Sequence, residues 1–352
     1  MSRVPTIVLG GTGYVAGELL RLIAAHPQLR LAGILSDGSP GERVAQAFPH
    51  LAAVYPDERF KPQQQIEALL QSERAPAILA AAPHGVSAQL IDTLLTTAEA
   101  AGRAPRVVDI SADFRYPSAA AYEAVYRHAH GAPARIAQFS CAVPEHLREL
   151  KTAHVAHPGC FATTILLAAV PLLALDLIEP QLFVAATTGS TGSGRKPVEG
   201  THHPVRHGDL YAYNALAHRH TAEIVACAAA ASGVTANFAF VPHSGPYARG
   251  IHATVQAVLR RPLDTAALLA RLADFYAQSP LVQVGAAPPR LKEVVASCYA
   301  RLGAVSDGRT LAVMSVADNL NKGAAGGALQ WMNRLQGFPE SMGLTAAAPG
   351  WT

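Results

Sequence analysis

The first third of the chain alternates short apolar runs with segments whose apolar residues follow a helical period. Thr6–Leu9 and Leu29–Leu35 are apolar runs, and Tyr14–Ala25 between them repeats apolar residues at helical spacing. The runs predict buried strands, and the period predicts an amphipathic helix. A strand, a helix and a strand of this size begin a parallel, doubly wound sheet. The alternation continues through helices and strands predicted at Gln64–Gln71, Ala77–Ala81, Ser87–Ala100 and Val107–Ile110.

The pattern changes after Cys160. Ile165–Val170 is a continuous apolar run that predicts a core helix, and Ile251–Leu259 alternates apolar and polar residues, which is typical of a sheet with one polar face. An Asp307-Gly308 pair predicts a hairpin turn. The other predicted strands are Leu182–Thr188, Ala236–Val241, Val294–Leu302 and Leu311–Val316, and the other predicted helices are Thr221–Ser232, Asp264–Gln278 and Ala324–Leu335. This order predicts an α+β domain after an α/β domain of the first ~155 residues.

The composition of the chain is that of a folded globular protein and gives no support for nucleic-acid binding or a membrane span. The 352 residues leave room for two domains, and a chain that is 50% apolar and 15% charged is a folded globular protein. The net charge is +3, and no run of lysines and arginines would follow a phosphate backbone, so nucleic-acid binding is not supported. The longest apolar stretch, Ile165–Leu175, is too short to span a membrane and contains Pro171.

Cysteine spacing and the N-terminal residues predict a cellular location. Cys141, Cys160, Cys227 and Cys298 are widely separated, which argues against a disulfide framework or a zinc site and suits a reducing compartment. The segment Met1–Pro5 leads directly into a predicted strand and lacks a signal-peptide pattern. We therefore expect a cytoplasmic protein that has no membrane partner.

A glycine-rich turn follows the first predicted strand. Gly11, Gly13 and Ala16 fit the pattern G-x-G-x-x-A, and Gly10, Gly13 and Ala16 fit a looser form of it. Glycine lets the backbone approach a pyrophosphate that rests on the helix N-terminus, so the turn predicts a dinucleotide site. The alternative is a tight turn that binds no ligand. The candidate cofactor contacts here are Gly10, Gly11, Thr12, Gly13, Tyr14 and Ala16.

The end of the second predicted strand bears on the choice between NAD and NADP. Asp37 is able to bind a ribose diol and would repel a 2′-phosphate. Ser36 and Ser39 are able to donate hydrogen bonds to a phosphate, and Arg43 is able to pair with one. The residues alone leave both cofactors open.

Cys160 lies at a junction between a predicted strand and a predicted helix. Pro158 and Gly159 form the turn, and the apolar run of the helix follows Cys160. The positive end of a helix favours a thiolate, which is the nucleophilic form of cysteine. Cys160 is therefore a candidate nucleophile, and the alternative is a small buried cysteine.

A candidate base lies in the sequence His218-Arg219-His220-Thr221-Ala222-Glu223. His220 falls at the start of a predicted helix, where the dipole disfavours imidazolium and keeps the ring neutral. Glu223 lies in the first turn, where it would orient the ring or cap the helix. The alternative is that His218 and His220 are both exposed capping residues.

Several segments are candidates for binding a substrate anion. Arg115 follows the strand Val107–Ile110, at the edge of a parallel sheet where ligands bind. Ser190 and Arg195 belong to a hydroxyl-rich loop that would cradle a phosphate or carboxylate, or would be a mobile surface loop. Arg249 precedes the strand Ile251–Leu259 and offers one more guanidinium.

A second group of histidines comprises His202, His203 and His207. No cysteine or carboxylate lies at the spacing that a metal site would need. We therefore predict a polar loop and no metal.

Seven segments together resemble those of the N-acetyl-γ-glutamyl-phosphate reductase family, over nearly the whole chain and in that family's order. They are GGTGYVAGEL from Gly10, APHGVS from Ala82, DISADFR from Asp109, HPGCFATT from His157, STGSGRKP from Ser190, HRHTAEI from His218 and DNLNKGAAGGALQ from Asp318. The related aspartate-semialdehyde dehydrogenases share the general plan. The resemblance implies a Rossmann-type domain at residues 1–157, completed by a C-terminal helix at residues 319–352. It also implies a semialdehyde-dehydrogenase-type α+β domain for catalysis and oligomerisation at residues 158–318.

The resemblance also implies roles for individual residues. Cys160 looks like the family's nucleophile, His220 like its acid/base and Arg115 like its anion-binding arginine. Asn319 looks like a contact to the nicotinamide, and Pro83, in a matching segment, is a further cofactor candidate. The family uses NADPH, although it often has a serine–arginine pair where this chain has Ser36-Asp37. The candidate substrate-binding residues are Arg115, Ser190, Arg195, Glu223 and Arg249.

The reaction implied by the resemblance is the reduction of an acyl phosphate to a semialdehyde in arginine biosynthesis, by a homodimer or homotetramer. The cysteine would form a thioester, which hydride from NADPH would then reduce. Three alternatives are open. In the first, the same reaction acts on another acyl phosphate, either aspartyl phosphate or a carrier-linked aminoadipyl phosphate. In the second, the protein is a cysteine acyltransferase or hydrolase without hydride transfer. In the third, it is a cofactor-binding regulator without catalysis.

Overall fold

The computed structural model describes residues 3–73 and 76–351, so Met1 and Ser2, which belong to the N-terminal segment considered above, lie outside the described residues. The chain divides into two compact units. The first consists of the segment that ends at Cys141, of Leu150–His157 and of Ala328–Leu344. The second consists of Ala142–Glu149, of Pro158–Gly327 and of the segment from Thr345 onward.

The first unit is built on a sheet of six parallel strands. Its strands are β1 (Val4–Leu9), β2 (Leu29–Leu35), β3 (Ala77–Ala80), β4 (Arg106–Asp109), β5 (Phe139–Cys141) and β6 (His154–Ala156). Its helices up to this point are α1 (Tyr14–Ala25), α2 (Val44–Ala47), α3 (Gln63–Ser72), α4 (Ser87–Ala100) and α5 (Ala119–Tyr126). The strand order is β2-β1-β3-β4-β6-β5, so the order reverses between β1 and β3. Ligands of open parallel sheets bind beyond the carboxyl ends of the strands at such a reversal.

The apolar runs of the sequence form the core of this sheet. Ile7, Leu9, Ile78 and Val107 are almost completely buried in one cluster, which the apolar faces of α3 and α4 cover. Short runs without polar positions suit strands that are buried on both faces, as parallel strands usually are. The prediction of a doubly wound parallel sheet with an α+β second part is therefore confirmed.

The second unit is built on a mixed sheet of seven strands. They are β7 (Ile178–Thr188), β8 (Tyr211–Ala212), β9 (Asn237–Ser244), β10 (Ile251–Leu259), β11 (Val282–Val284), β12 (Ala300–Ser306) and β13 (Thr310–Ala317), in the order β11-β12-β13-β10-β7-β9-β8. The helices are α6 (Cys160–Ala174), α7 (His203–Arg206), α8 (His220–Ser232) and α9 (Thr265–Phe275). The chain then passes through a π-helical turn, Asn321–Ala325, into α10 (Gly326–Leu335), whose residues from Ala328 onward belong to the first unit.

Helix α6 is the centre of the second unit. Its residues Phe161 to Leu173 are all buried, and it packs against β7, β10, β13 and α8. A helix that is apolar on every side is stable only when other elements surround it. Within residues 3–73 and 76–351, neither α6 nor any other helix has the length and apolar character needed to cross a membrane.

One predicted strand in the second unit is wrong. The segment Val294–Leu302 was expected to be extended, but the structure begins the strand at Ala300. Val294 to Tyr299 form a turn in which Ala296 has a φ of +64°. Val294 is completely buried, so the apolar pattern here reflects the burial of a turn and not of a strand.

Candidate active site

Cys160 is the first residue of α6, and the local sequence places it there. Gly159 is the N-cap in extended conformation, and the Thr163 N–H donates to the Gly159 carbonyl over 2.8 Å. The Thr164 hydroxyl donates to the Cys160 carbonyl over 2.9 Å. Cys160 is only half-buried, so its sulfur lies in the positive field of the helix start within reach of solvent. These are the conditions under which a cysteine reacts as thiolate.

His220 and Glu223 are both packed against the residue before Cys160. A Cβ atom placed on Gly159 would lie 2.6 Å from the His220 Nε2 and Cε1 atoms and 2.7 Å from the Glu223 Oε1 atom. The Gly159 N–H donates to that carboxylate oxygen over 2.8 Å. His220 begins α8, and Glu223 is completely buried one turn later. Only glycine fits between this histidine and the start of α6.

His218 supports the segment that leads into α8. Its Nδ1 accepts the backbone N–H of His220 over 3.1 Å, and its ring meets the His220 ring edge-on, with 4.7 Å between centroids. Burial, reinforced by the neighbouring Arg219 charge, lowers the pKa of His218 to about 4. His218 is therefore neutral near pH 7, and its ring acts there mainly as a hydrogen-bond acceptor.

Tyr213 is a residue that the sequence analysis missed. Burial raises its pKa well above the usual value, and the electrostatic effect of Cys160 acts in the same direction. Its ring also meets the His218 ring edge-on, with 5.7 Å between centroids. Tyr213 therefore lies close to the reactive thiol, and only the tertiary structure reveals this, because no motif marks a lone tyrosine in a loop.

These side chains line one cavity of about 530 Å³ in the second unit. A volume of this size is typical of small-molecule sites. The lining residues are Cys160, Phe161, Thr188, Gly192, Ser193, Tyr211, Tyr213, Asn214, Ala217, His218, Arg219, His220 and Ser244. The structure thus brings a candidate nucleophile, two histidines and several hydroxyl groups to one enclosed space.

The arginines predicted to bind substrate have partners in the protein. Arg115 is buried in the first unit and donates from Nε to the His157 carbonyl over 2.9 Å and from Nη2 to the Ile110 carbonyl over 2.7 Å. Arg249 makes a two-pronged ion pair with the buried Asp318, at 2.9 Å and 3.1 Å. Arg195 is exposed. Substrate binding by these three residues stays a prediction.

The loop that contains Ser190 is a 3₁₀ turn, Ser190–Ser193, fixed to the segment after β9. The Ser190 N–H donates to the Tyr247 carbonyl over 2.9 Å. Gly192 and Ser193, rather than Ser190, line the cavity. Asn319 secures the same region, since its amide accepts the Gly250 N–H over 2.8 Å and donates to the Thr191 hydroxyl over 3.0 Å. In this structure the Asn319 side chain therefore holds two loops of the second unit together.

The glycine-rich turn of the first unit packs closely against the backbone that follows the neighbouring strands. Gly10 has a φ of +84°, and a Cβ atom there would lie 2.3 Å from the Ala81 carbonyl oxygen. A Cβ atom on Gly11 would lie 2.7 Å from the Leu35 carbonyl oxygen. Gly13 caps α1, and Thr12 and Tyr14 are exposed beside the helix start. The turn therefore places the start of α1 at the reversal of the strand order, where a pyrophosphate is expected to bind.

The remaining cofactor candidates lie at the same edge of the sheet. Ser36 follows β2 and is buried, whereas Asp37 and Arg43 are exposed. Pro83 follows β3 and is also exposed, and its carbonyl accepts the N–H groups of Val86 and Ser87 over 3.2 Å each. Ala16 is buried on α1. The predicted cofactor residues of this unit thus lie at the carboxyl ends of β1, β2 and β3 and in the first turn of α1.

Family models match both parts of the chain. The NAD binding domain of semialdehyde dehydrogenases matches residues 6–155, and the dimerisation domain of semialdehyde dehydrogenases matches residues 160–319. The first of these matches supports a nicotinamide cofactor for the first unit.

Curated relatives match almost end to end. The N-acetyl-gamma-glutamyl-phosphate reductase of Nitrosococcus oceani is 36% identical over 96% of this chain and 96% of its own length. The proteins of the same name from Symbiobacterium thermophilum and Pseudomonas aeruginosa are each 37% identical, over 97% of this chain and 97% and 98% of their own lengths.

Solved structures show the same fold. Aspartate semialdehyde dehydrogenase II of Vibrio cholerae, complexed with ASA, has a TM-score of 0.69 at 16% identity and covers 95% of this chain and 98% of its own. The aspartate semialdehyde dehydrogenase of Francisella tularensis has a TM-score of 0.64 at 12% identity, over 95% of this chain and 100% of its own.

Proposed function

Because the chain belongs to the N-acetyl-gamma-glutamyl-phosphate reductase family of semialdehyde dehydrogenases, we propose that it reduces N-acetyl-γ-glutamyl phosphate to N-acetylglutamate 5-semialdehyde and phosphate, a step of arginine biosynthesis. The observation that carries this proposal is a cysteine at a helix start that shares one cavity with a histidine packed against the preceding residue. Covalent catalysis at an acyl carbon requires a nucleophile such as a thiolate and an adjacent base.

The residues that would hold the cofactor are Gly10 to Gly13 and Tyr14, with Ser36 and Pro83 at the neighbouring strand ends. Gly10 and Gly11 suit such a site, because any side chain at either position would collide with the backbone. When bound, the nicotinamide supplies the hydride that reduces the thioester carbon.

Cys160 carries out the covalent step. Its thiolate attacks the acyl carbon, a C–S bond forms, and the C–O bond to phosphate breaks with its electron pair leaving on phosphate. After reduction, the thiohemiacetal loses the hydroxyl proton, the C–S bond breaks, and the aldehyde and thiolate are restored. The backbone N–H groups at the start of α6 would stabilise the developing oxyanion.

His220 moves the protons in this proposal. It takes the Cys160 proton before attack and later exchanges a proton with the thiohemiacetal oxygen. Glu223, which adjoins the His220 ring at Gly159, orients the imidazole. We choose His220 over His218 because the His218 Nδ1 is occupied by a backbone N–H and its pKa of about 4 makes it a poor base near pH 7.

The direct test is phosphate-dependent oxidation of N-acetylglutamate 5-semialdehyde by the purified protein. We expect turnover that requires both phosphate and NADP⁺, and much weaker turnover with aspartate semialdehyde. A chain that turns over aspartate semialdehyde as well as or better than the N-acetylated substrate would contradict the proposed substrate.

Two histidine variants test the assignment of the base. Loss of turnover in His220→Asn, with retained turnover in His218→Asn, would support His220 as the base. The reverse pattern would assign the role to His218.

We assign NADPH as the cofactor on the family resemblance and on the hydroxyl of Ser36 at the end of β2. Arg43 is exposed on the same segment and is able to approach a 2′-phosphate. Asp37, also exposed, would act against that phosphate. Titration of the protein with NADPH and NADH decides the question, and Asp37→Ala should increase the preference for NADPH if the assignment is right.

We propose that the second unit forms a homodimer through the face of its sheet opposite α6, α8 and α9. The family model of this part is a dimerisation domain. Along β7 the large side chain of Phe183 is 54% exposed, and Val258 on β10 and Val305 on β12 are also exposed. Light scattering of the wild type and of Phe183→Glu, which should dissociate the dimer, tests this surface. Two such dimers would form the tetramer that the resemblance also allows.

The proposed location is the cytoplasm. Catalysis through Cys160 requires a reduced thiol, and all four cysteines are thiols in the structure. A reducing compartment maintains this state. Fractionation of the native cells, followed by assay of the semialdehyde oxidation, would show whether the activity lies there.

A further inference from the structure

Arg206 is a buried cation whose donors are not all used. It ends α7 and is only 7% exposed. Its Nη1 donates to the Asp209 carbonyl over 2.9 Å. Its Nε and Nη2 atoms have no hydrogen-bond partner among the described residues of the chain. Burying a charged donor without a partner costs several kcal/mol, so such a group calls for a ligand.

The neighbours of Arg206 connect it with the active-site cavity. The guanidinium carbon lies 6.0 Å from the centre of the Tyr211 ring, and Tyr211 lines the cavity that contains Cys160. Tyr211 pairs in the sheet with Ser244, which lines the same cavity. Tyr247 is also within electrostatic range: burial raises its pKa to about 12, while the Arg206 charge acts in the opposite direction. Arg206 does not line the cavity itself but lies next to Tyr211, which does.

The two atoms without partners define the chemistry of the ligand. Nε and Nη2 lie on the same edge of the guanidinium, and their N–H groups point in nearly the same direction. This edge matches the two oxygens of a carboxylate or the oxygens of a phosphate. Among the residues that the structure describes, no carboxylate forms an ion pair with Arg206.

We infer that Arg206 binds the α-carboxylate of the substrate and so selects acyl phosphates that carry this group. The inference rests on the proposed function and names the recognition residue within it. The phosphate of the substrate is attached to the carbon that Cys160 attacks and must lie beside the sulfur. The carbon of the α-carboxylate is four bonds farther along the chain, which suits a guanidinium next to Tyr211 rather than beside Cys160.

The test measures binding directly, without turnover. Iodoacetamide alkylates Cys160, and the rate is followed at that residue by mass spectrometry while a protecting ligand is added. N-acetylglutamate carries the α-carboxylate, and 4-acetamidobutanoate is the same molecule without it. For the wild type we expect N-acetylglutamate to protect at a concentration roughly 30-fold lower or more, the usual range for a buried charge pair.

Arg206→Gln should abolish this difference between the two ligands, and Arg206→Lys should restore only part of it, because an ammonium group cannot bind in two-pronged fashion. Arg260→Gln, which alters a partly exposed arginine that pairs with Asp176, is the matched control and should leave the difference intact. Thermal unfolding separates binding from folding. Removal of an unpartnered buried charge should leave the melting temperature unchanged or raise it.

The outcomes distinguish this inference from the proposed function. If Arg206→Gln keeps the preference for N-acetylglutamate, the inference is wrong even when turnover is normal. If Arg206→Gln instead abolishes protection by inorganic phosphate alone, the residue binds phosphate and the carboxylate assignment is overturned. If the wild type shows the preference but no phosphate-dependent oxidation of the semialdehyde, the binding site stands and the proposed reaction fails.

Discussion

The starts of α1 and α6 have similar local sequences but different proposed functions. Each follows a strand and a turn that ends in a glycine N-cap, Gly13 in one case and Gly159 in the other. At α1 the glycines are required by the backbone, because a side chain at Gly10 would meet the Ala81 carbonyl at 2.3 Å. At α6 the glycine is required by side chains, because His220 and Glu223 occupy the space.

This difference in packing goes with two different uses of the positive electrostatic field at a helix N-terminus. The start of α1 exposes Thr12 and Tyr14 beside the positive end of the helix, where an external anion is expected to bind. In the proposed mechanism the start of α6 carries its own anion, the thiolate of Cys160, and the proposed acid/base, His220, packs against Gly159. Gly10 and Gly159 each mark a close approach in the turn before a helix, and the surrounding elements decide what approaches.

The largest expected effect on turnover comes from replacing Cys160, the proposed nucleophile at the start of α6. Cys160→Ser should lower the turnover number by about 10⁴-fold or more, because a hydroxyl is not ionised in the field that suffices for a thiol. Steady-state rates of semialdehyde oxidation measure this. Cofactor affinity and the circular dichroism spectrum should not change, and retention of full activity would remove Cys160 from the mechanism.

A methyl group at Gly159 tests whether side-chain packing decides the geometry at α6. Gly159→Ala places a Cβ atom 2.6 Å from the His220 ring, so the ring must shift. We expect turnover to fall by roughly 100-fold, since small displacements of a catalytic group have effects of that size. Gly285→Ala, where the nearest side chain is 3.8 Å away, is the control. Equal activities of the two variants would show that the His220 position does not matter.

A methyl group at Gly10 makes the corresponding test at α1. Gly10→Ala combines a φ of +84° with a backbone collision, so we expect a loss of about 3 kcal/mol in unfolding free energy and weaker NADPH binding by roughly 10-fold or more. Urea unfolding and fluorescence titration measure the two effects. Gly285→Ala, where the nearest atom is 3.8 Å away and φ is not positive, should change neither. Unaltered NADPH affinity in a folded Gly10→Ala protein would show that this turn is only structural.

The smallest expected effect concerns pH. The pKa of His218 is about 4 in the folded protein because of burial, and its ordinary value is 6.5. The unfolded chain therefore binds a proton at higher pH than the folded chain does. The stability contribution of the neutral ring is complete above pH 6.5 and is lost as the pH falls from 6.5 towards 4.

Urea unfolding at pH 7 and at pH 5 measures this dependence. The decrease in stability should be smaller in His218→Asn than in the wild type, and His50→Asn, which alters an exposed histidine, should leave it unchanged. The decrease will not vanish, because burial also lowers the pKa of His146 and of His154 to about 4. An identical decrease in His218→Asn and the wild type would refute the role assigned to His218 burial.

Local pattern was enough to predict much of the fold. Helices Tyr14–Ala25 and Ser87–Ala100 and strands Leu29–Leu35 and Ile251–Leu259 have the predicted bounds, because each has a clear period and a breaking residue at its ends. The short strands β5, β8 and β11 were not predicted, since two or three residues are too few to show a period. The strand predicted from Val294 was wrong because its apolar residues are buried in a turn and not in a strand.

The sequence by itself determined the family, the order of the elements, and the residue types that the chemistry needs. Motifs such as the glycine-rich turn and the segment around Cys160 are local, so they can be read without the fold. Only the tertiary structure decided which groups share the cavity. Tyr213 lies in an irregular segment and Arg206 at the end of the one-turn helix α7, neither with a motif, and their importance comes from burial and from what packs around them. Contacts between distant segments arise when the elements pack together, which is why a pattern along the chain cannot report them.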